Sequence, residues 1–390
     1  MRWCWLLSLM LLTSAASAGE LPPIKLGLVI PMAGEVGSVG QSMRQAAEMA
    51  IADRSETLGR KVELILGDDP FDPKQAVAIA EKLILEGVWG VVGHFYSSSS
   101  IPASAVYYQA GIPMVTATST HPRLTEQGFD NVFRVSGRDD QQALSAADFI
   151  LSRLKARRLA VVNDRTEYGR GLADKLLRTV EHRAGQRVVV AEEEIAQGDR
   201  DFTAVVARLK MVQPDVVYFG GVFREGGYLV RQMRQASLTA AFVSGDRVLE
   251  DPEFVKIAGE EAASGSYLTF APDPRLLPSA RSFIQRFESR HGPIGPYVLY
   301  TYDAVGVLLR AIQVAKPLTN SREELGKVLK VMHSQVYDGT LGRLRWDKNG
   351  DLAVSPYVVY VARKGGSLQG WFEQLTGMSP RDTREPSMIR

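Results

Sequence analysis

The chain has 390 residues, 45% hydrophobic and 23% charged, which is ordinary for a globular protein and long enough for two cores. With 46 basic against 44 acidic residues the formal net charge is +2, so the charge balance gives no reason to expect nucleic acid or another polyanion as partner. The single cysteine, Cys4, lies near the N-terminus, which leaves no disulfide framework and no thiolate metal site for the rest of the chain.

Residues 1–18 read as a signal peptide. Arg2 is followed by an apolar stretch and then by Ala16-Ser17-Ala18, the A-x-A pattern, with Gly19 as first mature residue. The apolar part is too short to span a bilayer as a mature helix, and no later segment reads as apolar for long enough. No cysteine stands at the cleavage point to carry a lipid. A soluble, exported, periplasmic protein is the expectation.

From Ile24 short apolar runs alternate with amphipathic segments. Residues 24–30 read as a strand, 40–55 as a helix, 61–66 as a strand and 73–87 as a helix opened by Pro73. Further short strands fall at 88–93 and 112–117. The series then restarts near Asp139: helices at 144–156, 169–185, 202–213 and 225–237, with strands at 158–164, 187–195, 214–221 and 240–246. After 264–272 the pattern turns helical through 280–292 and 297–315, and 344–366 reads as a hairpin around Asn349-Gly350. The expected fold class is α/β, with two doubly wound parallel-sheet lobes. The tail 377–390 is expected to be flexible.

In open parallel sheets ligands bind beyond the carboxyl ends of the strands. The first lobe places Ser97 to Ser100, and Thr118, Ser119 and Thr120, in two such loops. A helix N-terminus has free N–H groups and partial positive charge, so added hydroxyl donors make a carboxylate site without arginine. One such loop reads as helix caps; two neighbouring ones favour a site. The loops of the second lobe carry Asp164, Glu167, Tyr168, Phe223, Glu225 and Asp246. One acid facing the hydroxyls would suit an ammonium. Glu167 and Glu250 read as exposed loop acids or caps, and Asp246 stands open between the two readings.

Enzyme signatures are missing. There is no GxSxG and no GxxxxGK[ST], and "GEVGSVG" does not match a dinucleotide fingerprint. The five histidines lack ligand spacing, and His94 reads as structural. "DKNGD" has its Gly in the wrong place for a calcium loop, so it reads as a turn. No catalytic residue, metal or cofactor is expected.

Together "GHFYSSSSIPAS", "GIPMVTATSTHPRLT", "NDRTEYGRGLAD", "DFTAVVARLK", "VVYFGG" and "GPYVLYTYDAV" resemble the leucine/isoleucine/valine-binding proteins of bacterial ABC importers, from about Ile24 to about Thr376. The resemblance implies the type I periplasmic binding fold: lobes 24–138 with 270–345 and 139–269 with 346–376, joined by a three-strand hinge that closes on ligand. It implies an amino acid as ligand, a membrane permease as partner and a monomer. The family's carboxylate-binding Ser falls on Ser97, which leaves Ser98 to Ser100 as helix caps. The next loop's contacts fall on Thr118 and Thr120, flanking Ser119. The family's closing tyrosine falls on Tyr168 and its ammonium-binding acid on Asp246. Two pocket aromatics fall on Val39 and Val222, so the side-chain pocket differs. The positions of a disulfide found in some members fall on Phe71 and Tyr96, where an aromatic pair is expected. The altered pocket keeps a short amide, a γ-amino acid or an aromatic carboxylate as alternative ligands, and a sensory subunit as an alternative role. A hydrolase using Ser97 is disfavoured by the missing base motif.

Overall fold

The computed structural model describes residues 21–34, 36–69, 71–184, 188–249, 253–353, 355–366 and 370–375. The expected signal peptide and tail lie outside them. β1 (Ile24–Ile30) is nearly all buried, as a strand with both faces covered must be. It pairs in parallel with β2 (Val62–Asp68) and β3 (Gly90–Val92). β4 (Met114–Thr116) and β5 (Val132–Arg134) complete a parallel sheet of order β2-β1-β3-β4-β5. Helices Gly37–Ala52, Pro73–Leu85 and Ser97–Ala110 make the crossovers. The first lies close to its strand because residue 40 is glycine: a Cβ there would sit 1.7 Å from the Pro31 carbonyl oxygen.

The second sheet holds β6 (Leu159–Asn163), β7 (Val189–Glu194), β8 (Val216–Gly220), β9 (Ala241–Ser244) and β10 (Tyr267–Phe270), all parallel. The chain then returns to the first sheet through helices Arg281–His291, Val298–Ala315 and Arg322–Ser334 and a small hairpin, β11 (Tyr337–Gly339) with β12 (Gly342–Leu344). It crosses once more to add β13 (Val358–Gly366) and β14 (Gly370–Gln374), both antiparallel to their neighbours. The order is β14-β13-β10-β9-β8-β6-β7, and three crossings join the sheets.

Three expectations are corrected. Helix Val298–Ala315 is long and apolar enough to span a membrane, contrary to the sequence reading. It is apolar because it packs on β3, β4 and three helices, with 72% of its residues buried. Helix Arg322–Ser334 was missed, although the Ser321 hydroxyl caps it by accepting from the Glu324 N–H. The turn around Gly350 brings Trp346 opposite Leu352 only; β13 pairs elsewhere. That turn sits on β5, where the Arg134 N–H donates to the Gly350 carbonyl at 2.9 Å, and the last crossing follows it. Gly350 has φ +87°, and a Cβ there would meet the Val132 carbonyl at 1.9 Å.

The same junction holds a fully buried guanidinium. Arg134 Nε donates to Asp351 Oδ1 at 2.8 Å, Nη1 to the Ser119 carbonyl, and Nη2 to the His121 carbonyl (3.2 Å) and Thr125 Oγ1 (3.1 Å). The Trp346 indole N–H donates to the Arg134 carbonyl at 2.8 Å. Arg138 also donates to Asp351. Burial pushes the Asp351 carboxyl up, but the two guanidiniums outweigh this and hold it below the usual range. Removing one partner of a buried pair strands the other charge. Asp351→Asn should therefore cost about 3–5 kcal/mol, read as a lowered urea midpoint with an unchanged slope. A loss below about 1 kcal/mol would show that the pair carries no net stability.

Candidate functional site

The seven hydroxyls of the two first-lobe loops divide into two groups. Asp69 fastens the first loop, accepting from the Phe95 N–H (2.8 Å), the Tyr96 N–H (3.2 Å) and Ser99 Oγ (2.6 Å). Ser100 Oγ donates to the His94 carbonyl and pairs with Ser119 Oγ at 2.7 Å. Thr118 Oγ1 donates to the Phe95 carbonyl at 2.7 Å. Ser97, Ser98 and Thr120 are different: their hydroxyls are buried and have no hydrogen-bond partner. The expectation that Ser98 to Ser100 cap the helix is not met. Tyr96 occupies the N-cap, and Ser99 and Ser100 bind Asp69 and His94 instead. His94 is structural, its Nε2 3.0 Å from the Tyr107 hydroxyl, and burial lowers its pKa to about 4.

The second sheet presents Asp246 just after β9. Its Oδ1 accepts from Tyr168 OH at 2.9 Å and Gln142 Nε2 at 3.0 Å, and its Oδ2 from Tyr297 OH at 3.1 Å. Tyr297 belongs to the first-lobe side of the cleft, so Asp246 bridges the two lobes. The close approach of Tyr168 needs glycine at 245, where a Cβ would lie 2.3 Å from the hydroxyl. Sequence reasoning missed Arg247, whose only signal was its place beside Asp246. It is 1% exposed and donates to the Phe95 carbonyl at 3.0 Å across the cleft. Its guanidinium lies 4.9 to 5.3 Å from the ring centres of Phe95, Tyr96 and Tyr168.

Between the lobes is a small, partly open space. Phe71, Tyr96, Ser97 and Ser98 line it from one side, and Thr166, Tyr168, Val222 and Arg247 from the other. Phe71 and Tyr96 meet edge to face with centroids 4.3 Å apart, the expected aromatic pair. Val39 does not line this space; it packs in the core of the first lobe. Of the other acids, Asp164 holds the Thr166 N–H and hydroxyl, and burial pushes it up to about 6. Glu225 accepts from the Gly198 N–H, Phe223 is core, and Glu167 faces Arg123 at the surface. Glu250 lies outside the described residues.

Asp139 was also missed, because one of two successive aspartates at a helix start reads as a cap. Its N–H donates to the Thr120 carbonyl at 3.0 Å. Its carboxyl is fully buried, and neither oxygen has a hydrogen-bond partner. Burial raises it to about 7; Asp246 adds to the rise, and Thr120 and Arg134 oppose it. An unfolded aspartate titrates near 4. Between about pH 4 and 7 the folded state thus binds more protons at this site, and its stability falls as pH rises. Urea unfolding at pH 4.5, 6 and 7.5 should show the wild type losing stability relative to Asp139→Asn. A difference that stays constant with pH would contradict this.

The periplasmic binding protein family model matches residues 23–367. An amino acid binding protein of Pseudomonas aeruginosa is 39% identical over 350 residues, 88% of this chain and 91% of that one. A Leu/Ile/Val-binding protein homolog of Brucella melitensis is 36% identical, with the same shares covered. The crystal structure of a leucine binding protein, LivK, from Thermotoga maritima superposes with a TM-score of 0.81 at 28% identity, over 90% of this chain and 97% of that one. The chain therefore belongs to the periplasmic binding protein family, in its Leu/Ile/Val-binding branch, with the type I periplasmic binding fold and the role of a solute-binding protein rather than an enzyme.

Proposed function

We propose that the protein is a periplasmic receptor that closes two lobes on an amino acid, branched-chain or related, and delivers it to the permease of an ABC importer. The observation that carries this reading is the Ser97 hydroxyl, buried and without a partner at the start of helix Ser97–Ala110. It suits a carboxylate, which gains charge-assisted hydrogen bonds and the field of the helix N-terminus. The 118–120 loop is tied to the same turn by the Thr118 and Ser119 hydroxyls on the Phe95 carbonyl, and Tyr168 lines the space opposite Ser97. The names of the relatives support the same ligand class.

A second reading draws on Arg247 and Val222. A buried guanidinium and an aliphatic side chain line the cleft where the resemblance led to an aromatic residue. This wall favours a ligand with a second acidic group or an aromatic carboxylate.

A thermal-shift screen over amino acids, amides and aromatic acids decides between them. At 100 times its dissociation constant the cognate ligand should stabilise the protein by about 2.7 kcal/mol. Ser97→Ala should weaken that ligand by about 1.5–3 kcal/mol, one hydrogen bond to a charged group, with the fold intact by circular dichroism. If no amino acid shifts the melting point while an aromatic acid does, the second reading replaces the first.

A further inference from the structure

A second group of positive charges lies far from the cleft. Arg54 follows helix Gly37–Ala52, and its half-buried guanidinium lies 5.0 Å from the ring centre of Tyr302 and 5.9 Å from that of Tyr337. Nη2 donates to the Tyr337 hydroxyl, and Nη1 to the Ala50 carbonyl at 3.3 Å. The two neighbouring acids are engaged elsewhere. Asp53 accepts from both Nη atoms of Arg286, at 2.8 and 2.7 Å, and from the Tyr302 hydroxyl. Asp303 accepts from the Thr340 and Leu341 N–H groups. Among the described residues neither forms an ion pair with Arg54.

Arg54 lines a pocket of about 250 Å³, just below the volume typical of drug-sized ligand sites. The pocket lies at the end of the first lobe away from the cleft. Tyr297, which holds Asp246, precedes helix Val298–Ala315; Leu309, Arg310 and Gln313 line the pocket roughly 20 Å further along it, at 1.5 Å per residue. Arg310 is exposed and donates Nη1 to Gln313 Oε1 at 2.8 Å, and Gln313 Nε2 donates to the Thr57 carbonyl at 3.1 Å, so the amide braces the second guanidinium. Leu58, Leu309 and Val336 supply apolar wall. Among the described residues the lining carries one carboxylate, Asp338, whose side chain is 81% exposed and lies 3.9 Å from Arg343. Two guanidiniums thus share a concave site with one solvent-directed acid, and their fields add. A guanidinium has five donors in a rigid fork that matches a carboxylate, and at Arg54 donors are left over.

We propose that this pocket is a second binding site, separate from the cleft, for a small monocarboxylic acid. Its carboxylate sits between Arg54 and Arg310, and its short aliphatic body lies against Leu58, Leu309 and Val336. The site does not depend on which ligand the cleft takes.

The test is an NMR titration of the full mature chain with 4-methylpentanoate, following the Nε–H signals of Arg54 and Arg310. Wild type should show saturable shifts of both signals. Arg310→Gln should weaken binding roughly tenfold or more, the loss of one hydrogen bond to a charged group. Arg54→Lys, which keeps the charge but loses the fork, should weaken it as well. Ser97→Ala, in the cleft, should leave it within about twofold of wild type. Binding that stays within about twofold of wild type in both arginine variants overturns the proposal. So does a wild type without saturable shifts, and so does binding lost in Ser97→Ala, which would put the acid in the cleft. Sulfate bound as tightly as 4-methylpentanoate also overturns it, because the apolar wall would then contribute nothing. Arg310 is exposed, so its variant carries the test if Arg54→Lys fails to fold.

Discussion

The cleft is organised around a fully buried guanidinium. Arg134 ends β5, and its donors reach in three directions at once: to Asp351 beside the last crossing, to Thr125, and to the carbonyls of Ser119 and His121. Its rigid planar fork fixes those acceptors relative to one another. The loop that carries Thr120 is therefore held by the same group that anchors the chain near its third passage between lobes. Neither part can shift without stranding a charge where water does not reach.

Around this anchor the hydroxyl-rich loops separate into scaffold and site. Asp69, Ser99, Ser100, Thr118 and Ser119 hold one another and the His94 and Phe95 carbonyls. The backbone thus presents Ser97 and Thr120 without using their side chains. Such preorganisation lowers the ordering cost of binding. Across the cleft the principle recurs with a different chemistry: phenols from both lobes and an amide orient the Asp246 carboxylate, and the Arg247 guanidinium lies among three aromatic rings.

Most strands of the two parallel sheets and most of the main helices were legible, because short apolar runs between amphipathic segments leave little choice of fold; β5, only three residues long, was not. Helix Arg322–Ser334 escaped despite a serine cap and a glutamate pair, since the apolar pattern before it drew attention to longer helices. At the site the hydroxyls were legible as a group. Which of them are free was not, since that depends on Asp69 and on the His94 and Phe95 carbonyls, whose approach is tertiary. Resemblance pointed to Asp246 and Tyr168, both on the second lobe, and their side chains do meet. Asp139 and Arg247 were invisible because nothing local distinguishes them from a helix cap and a surface arginine. Only burial sets them apart.

The buried Asp139 carboxyl, raised to about 7, has a thermodynamic consequence. Near neutral pH such a group is about half protonated, so any event that alters its surroundings exchanges protons with the medium. Stabilising its ionised form would release about half a proton per molecule at pH 7, and enclosing it further would take protons up. The heat of such an event then includes the ionisation enthalpy of the buffer. Measured enthalpies should differ between phosphate and Tris even where affinities agree, and the slope against buffer enthalpy counts the protons moved.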